Sequence, residues 1–144
     1  MGDDGPAFVD TNILVYVFGR HGGERKEVAE RLVAALMEER RIRFSTQVLQ
    51  EFFSVLTRKK LHGCTPDEAI GYLDRLSAWP VLVVDYTAIR EAAALSRDAM
   101  LAFWDALIVV AAARSGAKRL YTEDLHHGQV LLGVEVVNPF RAPA

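Results

Sequence analysis

Asp10, Glu51, Asp105 and Asp124 are the residues of this chain best suited to do chemistry. Each carboxylate stands against an apolar run. Asp10 ends Ala7-Phe8-Val9, and Glu51 interrupts Val48-Leu49 and Phe52-Phe53. Asp105 opens the run from Ala106 to Ala113, and Asp124 follows Leu120-Tyr121-Thr122. A carboxylate drawn out of water is costly unless something positive joins it. A cluster of such groups without Lys or Arg beside it points to a divalent cation, which takes oxygen ligands. Each residue also has an ordinary structural reading. Asp10 can cap the helix behind it, and Glu51 can be a solvated edge residue. Asp105 can sit in a helix first turn, where the dipole favours it. Asp124 can be a turn residue after a strand.

The four are far apart in sequence, so only the fold can gather them. Ala7 to Asp10 reads as a short buried strand, followed by a short helix at Ile13 to Phe18. Glu24 to Arg40 has helical spacing, with Val28, Leu32, Ala35 and Leu36 on one face. Ile42 to Ser45 is a second strand. Thr46 to Lys60 is a helix that turns Leu49, Phe52, Phe53 and Leu56 inward, with His62-Gly63 as its stop. Thr65-Pro66-Asp67-Glu68 is a capping box with Pro at the first helical position. Its helix runs to about Ala78 and buries Ile70 and Leu73. Val81 to Val84 is an all-apolar third strand, expected to be covered on both faces. Thr87 to Met100 is a helix using Ile89, Ala92, Ala93 and Leu95. Asp105 to Ser115 is the most apolar helix, stopped at Gly116. Arg119 to Thr122 and Val134 to Val137 complete the strands.

Strands alternate with helices. The expected fold is therefore α/β: a three-layer α/β/α sandwich on a mainly parallel, about five-stranded sheet. Residues 1–144 form a single domain with an ordered core over about residues 7–140. Ligands of such sheets bind beyond the carboxyl ends of the strands. Asp10 and Asp124 fall there, and Glu51 and Asp105 lie on helices that can pack beside that edge.

Composition sets limits. The net charge of −2 gives no global attraction to nucleic acid or acidic membranes, so any such binding needs a local basic surface. The single cysteine, Cys64, excludes an internal disulfide framework and a multi-cysteine zinc site. Met1 to Pro6 lacks the apolar core of a signal peptide. The run from Ala106 to Ala113 is too short to span a bilayer. A cytoplasmic protein with no membrane partner is the expectation.

Val9-Asp10-Thr11-Asn12, Glu51 in its helix, Trp104-Asp105-Ala106-Leu107-Ile108 and Tyr121-Thr122-Glu123-Asp124-Leu125 resemble the PIN-domain ribonucleases, in family order from about Phe8 to Phe140. Within that family the chain most resembles the VapC-type toxins of bacterial toxin–antitoxin pairs. His126-His127-Gly128 and Val137-Asn138-Pro139-Phe140 resemble the ending of one VapC subgroup. The resemblance implies that Asp10, Glu51, Asp105 and Asp124 form an acidic quartet binding Mg²⁺ or Mn²⁺. It implies supporting roles for Asn12 and Thr122, which would orient the acids, and for Ser45 ahead of Glu51. Glu123 departs from the small or apolar residue common before the last Asp, leaving it open as a further metal ligand. The implied activity is endoribonuclease cleavage by metal-activated water, giving 5′-phosphate and 3′-hydroxyl ends. The implied partners are an RNA substrate, a cognate small antitoxin protein and a second copy of the chain in a homodimer. Ile13 to Phe18, the Glu24–Arg40 helix and the Phe52-Phe53 helix could supply the antitoxin groove.

Rival chemistries find less support. His21, His62, His126 and His127 lack zinc-site spacing, although His126-His127 could contact substrate near Asp124. No nucleophile elbow supports Ser-His-Asp hydrolysis. A dehalogenase-type phosphatase would need an Asp where Asn12 stands, and a receiver domain would need an acidic pair at the first strand end. The remaining alternative is an interaction module of the same fold without catalysis. Arg40-Arg41-Ile42-Arg43 and Arg58-Lys59-Lys60 are the densest basic runs from which RNA contacts could come.

Overall fold

Three apolar residues, Ala7–Val9, form β1, and all three are buried. The computed structural model describes residues 5–58 and 63–141. β1 lies between β2 (Ile42–Ser45) and β4 (Arg119–Tyr121), parallel to both, with Val9 opposite Tyr121. β2 carries β3 (Val81–Leu82), and β4 carries β6 (Val134–Val137), again in parallel. β5 (Val130–Leu131) closes the far edge antiparallel to β6. The order is β3-β2-β1-β4-β6-β5.

The connecting helices are α1 (Thr11–Phe18), α2 (Glu24–Glu38), α3 (Thr46–Leu56), α4 (Pro66–Leu76), α5 (Tyr86–Ala99) and α6 (Phe103–Arg114). α1 packs on α2 and α3, and α3 on α4. α5 packs on α6, which lies against β2, β4 and β6. This is the expected three-layer sandwich. α6 is buried almost all round, from Ala106 through Ala112. A helix apolar on every face has nowhere to go but the interior of the sandwich. Phe8, Phe44, Phe52, Ile13, Leu56 and Leu120 are fully covered in the main core.

Several expectations need correction. The sheet has six strands, not about five. The missed strand, β5, is only two residues long and is completed by a tight turn with Leu132 and Gly133 at positive φ. β3 spans two residues rather than four and forms an edge, with Val83 beyond it 70% exposed. Its apolar text is therefore not that of a strand covered on both faces. Ile70 and Ile89 are exposed rather than buried. The faces that pack are Ala69 and Leu76 on α4, and Ala88 and Ala92 on α5. On α2 the buried residues are Ala29, Val33 and Leu36, while Ala35 is exposed.

The expected helix ends run slightly past the observed ones. α2 stops at Glu38 because Arg40 turns left-handed at φ 58°, letting Arg41 N–H bond back to Leu36 O at 2.8 Å. α5 stops in the same way at Met100. α3 ends at Leu56, and the expected continuation through Lys59 and Lys60, with the stop at His62, lies outside the described residues. The Thr65 capping box forms as read, with both reciprocal bonds present.

Candidate active site

The chain adds β2 and β3 on one side of β1, then returns to place β4 on the other. This reversal leaves a crevice at the carboxyl ends of β1 and β4, the switch point where ligands of open α/β sheets bind. Asp10 leaves β1 there, and Thr122 and Asp124 leave β4.

Asp10 does two things at once. Its Oδ1 accepts the Thr11 N–H at 2.7 Å, capping α1, and its Oδ2 accepts the Thr122 hydroxyl at 2.8 Å. The capping reading is thus correct, but it uses only half of the carboxylate. Asp10 is 6% exposed, and burial pushes its carboxyl up to about 7 against the pull of those two hydrogen bonds. Asp124 and Glu51 push the same way, which places both charges within electrostatic reach.

Thr122, fully buried, links the group. Its Oγ1 also accepts the Asp124 backbone N–H at 3.1 Å and faces Asn12 Nδ2 at 3.4 Å. Asn12 Nδ2 in turn donates to Asp124 Oδ2 at 2.9 Å. Glu51 projects from the middle of α3, where the Thr11 hydroxyl donates to its Oε1 at 2.9 Å. Gln47 Nε2 lies 3.4 Å from the other Glu51 oxygen and 3.3 Å from Trp104 O. Asp105 sits in the first turn of α6, which has no side-chain cap. Its carboxyl is raised by burial, then by Asp124 and by Glu51. All four carboxylates therefore belong to one electrostatic cluster.

No cationic side chain among the described residues pairs with any of the four. A hollow of about 700 Å³ opens beside them, with Thr11, Asn12, Glu51, Trp104 and Asp124 on its wall and Arg58 also lining it. Asn12 Oδ1 and Gln47 Oε1 are buried acceptors without a hydrogen-bond partner. Hard oxygen donors lacking a positive partner suit Mg²⁺ or Mn²⁺ in their chemistry. Among the described residues, no three acidic, histidine or cysteine side chains stand close enough to make a finished ligand cage.

Ser45 caps α3, accepting the Val48 N–H at 3.3 Å, and so supports the helix that carries Glu51 without touching the carboxylates. Glu123 faces elsewhere. Both its oxygens accept from Tyr16 Oη, at 3.0 and 2.9 Å, and from Arg25, at 2.8 and 3.3 Å. Arg25 lies over the Phe140 ring at 5.0 Å, and Tyr16 meets the same ring edge-on. His126 and His127 are exposed, and His127 Nδ1 accepts the Asn138 N–H at 3.0 Å. Sequence reasoning assigned no role to Thr11 or Gln47. The signal for Gln47 was its i, i+4 spacing from Glu51 on one helix.

The sequence matches the PIN-domain family over residues 7–130. No curated protein sequence matches it significantly. Among solved structures it is similar to a toxin–antitoxin complex from Klebsiella pneumoniae, at 20% identity and a TM-score of 0.68, covering 94% of this chain and 99% of that one. It is also similar to Mycobacterium tuberculosis VapC20, a toxin that cleaves the sarcin–ricin loop. That match has 25% identity and a TM-score of 0.65, covering 82% of this chain and 89% of that one. A third is VapBC2 from Rickettsia felis bound to a DNA fragment from its promoter, at 18% identity and a TM-score of 0.66, covering 90% and 96%.

Proposed function

The chain belongs to the PIN-domain family, and on that premise we propose that it is a Mg²⁺- or Mn²⁺-dependent endoribonuclease acting as the toxin of a toxin–antitoxin pair. The observation that carries the reading is the cluster itself. Asp10, Glu51, Asp105 and Asp124 lie within electrostatic reach of one another around the switch point of the sheet, and no cationic side chain among the described residues balances them.

These four would hold the metal, with Asn12, Thr122 and Ser45 in support. Glu123, engaged by Tyr16 and Arg25, is left out of the ligand set in this reading. A divalent ion bound there would offset the charge gathering on the phosphate oxygens and activate the attacking water. The chain's own part is positional. Thr122 and the α1 N-terminus hold both Asp10 oxygens, Asn12 aims Asp124, and Thr11 aims Glu51. Buried Asp10 resists ionising until a positive partner arrives, which couples its charged form to metal loading.

Supporting surfaces exist for the partners. Val17, Phe18, Met37 and Trp79 line a hollow of about 310 Å³ between α1, α2 and α4, suited to an apolar antitoxin segment. The expected groove moves here, because Ile13, Leu14 and Phe52 are core. Val83, Tyr86 and Ile89 leave an apolar surface by the β3 edge that a second copy could cover. No described helix is long and apolar enough to cross a membrane, and a cellular RNA substrate would put the action in the cytoplasm.

The test is cleavage of total RNA with Mn²⁺ and with EDTA, followed by end mapping. Wild type should leave 5′-phosphate and 3′-hydroxyl ends only when metal is present. Asp10→Asn and Asp105→Asn should each lose at least about 100-fold. A 2′,3′-cyclic phosphate product, or equal activity in the variants, would overturn the mechanism. Metal that neither supports cleavage nor raises Tm would leave a non-catalytic interaction module.

A further inference from the structure

Gln47 holds an atom that neither the acidic cluster nor the core uses. The residue is 5% exposed, and its Oε1 has no hydrogen-bond partner. The amide orientation is set by its surroundings, because Nε2 faces two acceptors, Glu51 Oε2 and Trp104 O. Turning the amide over would set oxygen against oxygen. A buried acceptor left empty costs free energy, so this position calls for a donor.

The place of Gln47 says which kind. It stands on the wall of the 700 Å³ hollow and on that of a neighbouring hollow of about 400 Å³. Gln50 and Trp104 also line both. Trp104 is 62% exposed, and its ring rests edge-to-face on Phe103 at 5.1 Å. The two hollows therefore share the open Trp104 ring and the Gln47 side chain, beside Glu51.

We propose that this junction is a subsite for one unpaired nucleobase of the RNA, stacked on Trp104 and donating an N–H to Gln47 Oε1. The proposal rests on the nuclease reading above and deepens it. Every base offers a π-face, and aromatic stacking is the common way proteins hold a splayed-out base. Base edges carry the N–H donors that the acceptor lacks. In the nuclease reading the RNA backbone brings its scissile phosphate to the metal that the carboxylates would hold, and the neutral base turns to the Gln47 and Trp104 side of the hollow. Arg58, exposed and on the wall of the larger hollow, is placed to meet that backbone. Oε1 is covered in the free protein, so a base reaches it by shifting the side chains around it.

Trp79→Phe leaves Trp104 as the single tryptophan. In EDTA, AMP should quench Trp104 fluorescence saturably, whereas ribose 5-phosphate, which lacks the base, should not. Gln47→Met, which keeps the side-chain length and removes the acceptor, should raise the half-saturating AMP concentration about tenfold. The proposal is overturned if none of AMP, GMP, CMP or UMP quenches saturably. It is also overturned if ribose 5-phosphate quenches equally, or if Gln47→Met leaves the titration unchanged. Quenching by an arginine-containing tetrapeptide where no nucleotide acts would give the hollow to a protein partner instead. Metal-dependent RNA cleavage is measured on the same preparation. Cleavage without base binding overturns the subsite alone, and base binding without cleavage overturns the nuclease reading alone.

Discussion

The fully buried Thr122 hydroxyl donates to Asp10 Oδ2 at 2.8 Å, joining the strand end of β4 to that of β1. Thr122 Oγ1 also accepts the Asp124 N–H, so one small side chain spaces two carboxylates. Groups that orient metal ligands typically govern affinity by about 10–100-fold. Thr122→Val keeps the shape and removes the hydroxyl. It should weaken Mn²⁺ binding and RNA cleavage within that range and lower unfolding stability by about 1–3 kcal/mol, because the buried Asp10 carboxyl and the part-buried Asp124 N–H lose their bond. Calorimetric Mn²⁺ titration and denaturant unfolding measure the two effects separately. An unchanged Mn²⁺ affinity would show that Thr122 does not set the ligand geometry.

Asp10 predicts a pH dependence of stability. Its carboxyl has an ordinary value of 3.8 and is raised to about 7 by burial. Between those values the native state holds a proton that the unfolded chain has released. Stability from this group is fully present below about pH 4, falls as pH rises to about 7, and then levels off. The loss is on the order of 4 kcal/mol for a shift of this size. Unfolding in EDTA at pH 5 and pH 7.5 should show about 3 kcal/mol of it, and Asp10→Asn should flatten the difference. Asp105, raised in the same direction, adds a part that Asp10→Asn does not remove. Saturating Mn²⁺ should restore stability at pH 7.5 in wild type. Stability that rises from pH 5 to pH 7.5 without metal would contradict the burial of Asp10.

Glu123 and Asp124 are neighbours with separate duties. Tyr16 and Arg25 clamp Glu123 to α1 and α2, while Asn12 holds Asp124 toward the cluster. Asp124→Asn should therefore cost at least about 100-fold in cleavage. Glu123→Gln keeps an acceptor for Tyr16 and Arg25 and should cost less than about tenfold. Arg25→Ala should mimic the Glu123 variant, since the pair acts as one clamp. Equal losses at Glu123 and Asp124 would return Glu123 to the ligand set.

What could be read from the sequence was local. The Thr65–Glu68 capping box is closed by residues three apart, and its chemistry is complete in four letters. Asp10 stands out because it ends the buried strand β1, and Asp124 because it falls just beyond β4. The Glu123 clamp depends on Tyr16 and Arg25, roughly a hundred positions away, and no spacing rule reaches that far. Ile70 and Ile89 misled because apolar residues on a surface helix need not all face the core. β5 was invisible because two residues carry no period. An amide within a helix, such as Gln47, looks solvated until the fold covers it.

Met100 closes α5 in a left-handed conformation, φ 56° and ψ 44°, with its side chain 91% exposed. The conformation costs a residue with a Cβ about 1–2 kcal/mol. The exposed side chain offers no packing to offset it. Glycine adopts this geometry freely, although it also gives the unfolded chain more freedom to lose. Met100→Gly should therefore stabilise the protein by about 0.5–1 kcal/mol, read as a higher denaturation midpoint with an unchanged m-value. Met100→Val, branched at Cβ and least suited to positive φ, should lower the midpoint. The opposite order would mean that the left-handed turn at Met100 does not end α5 in solution.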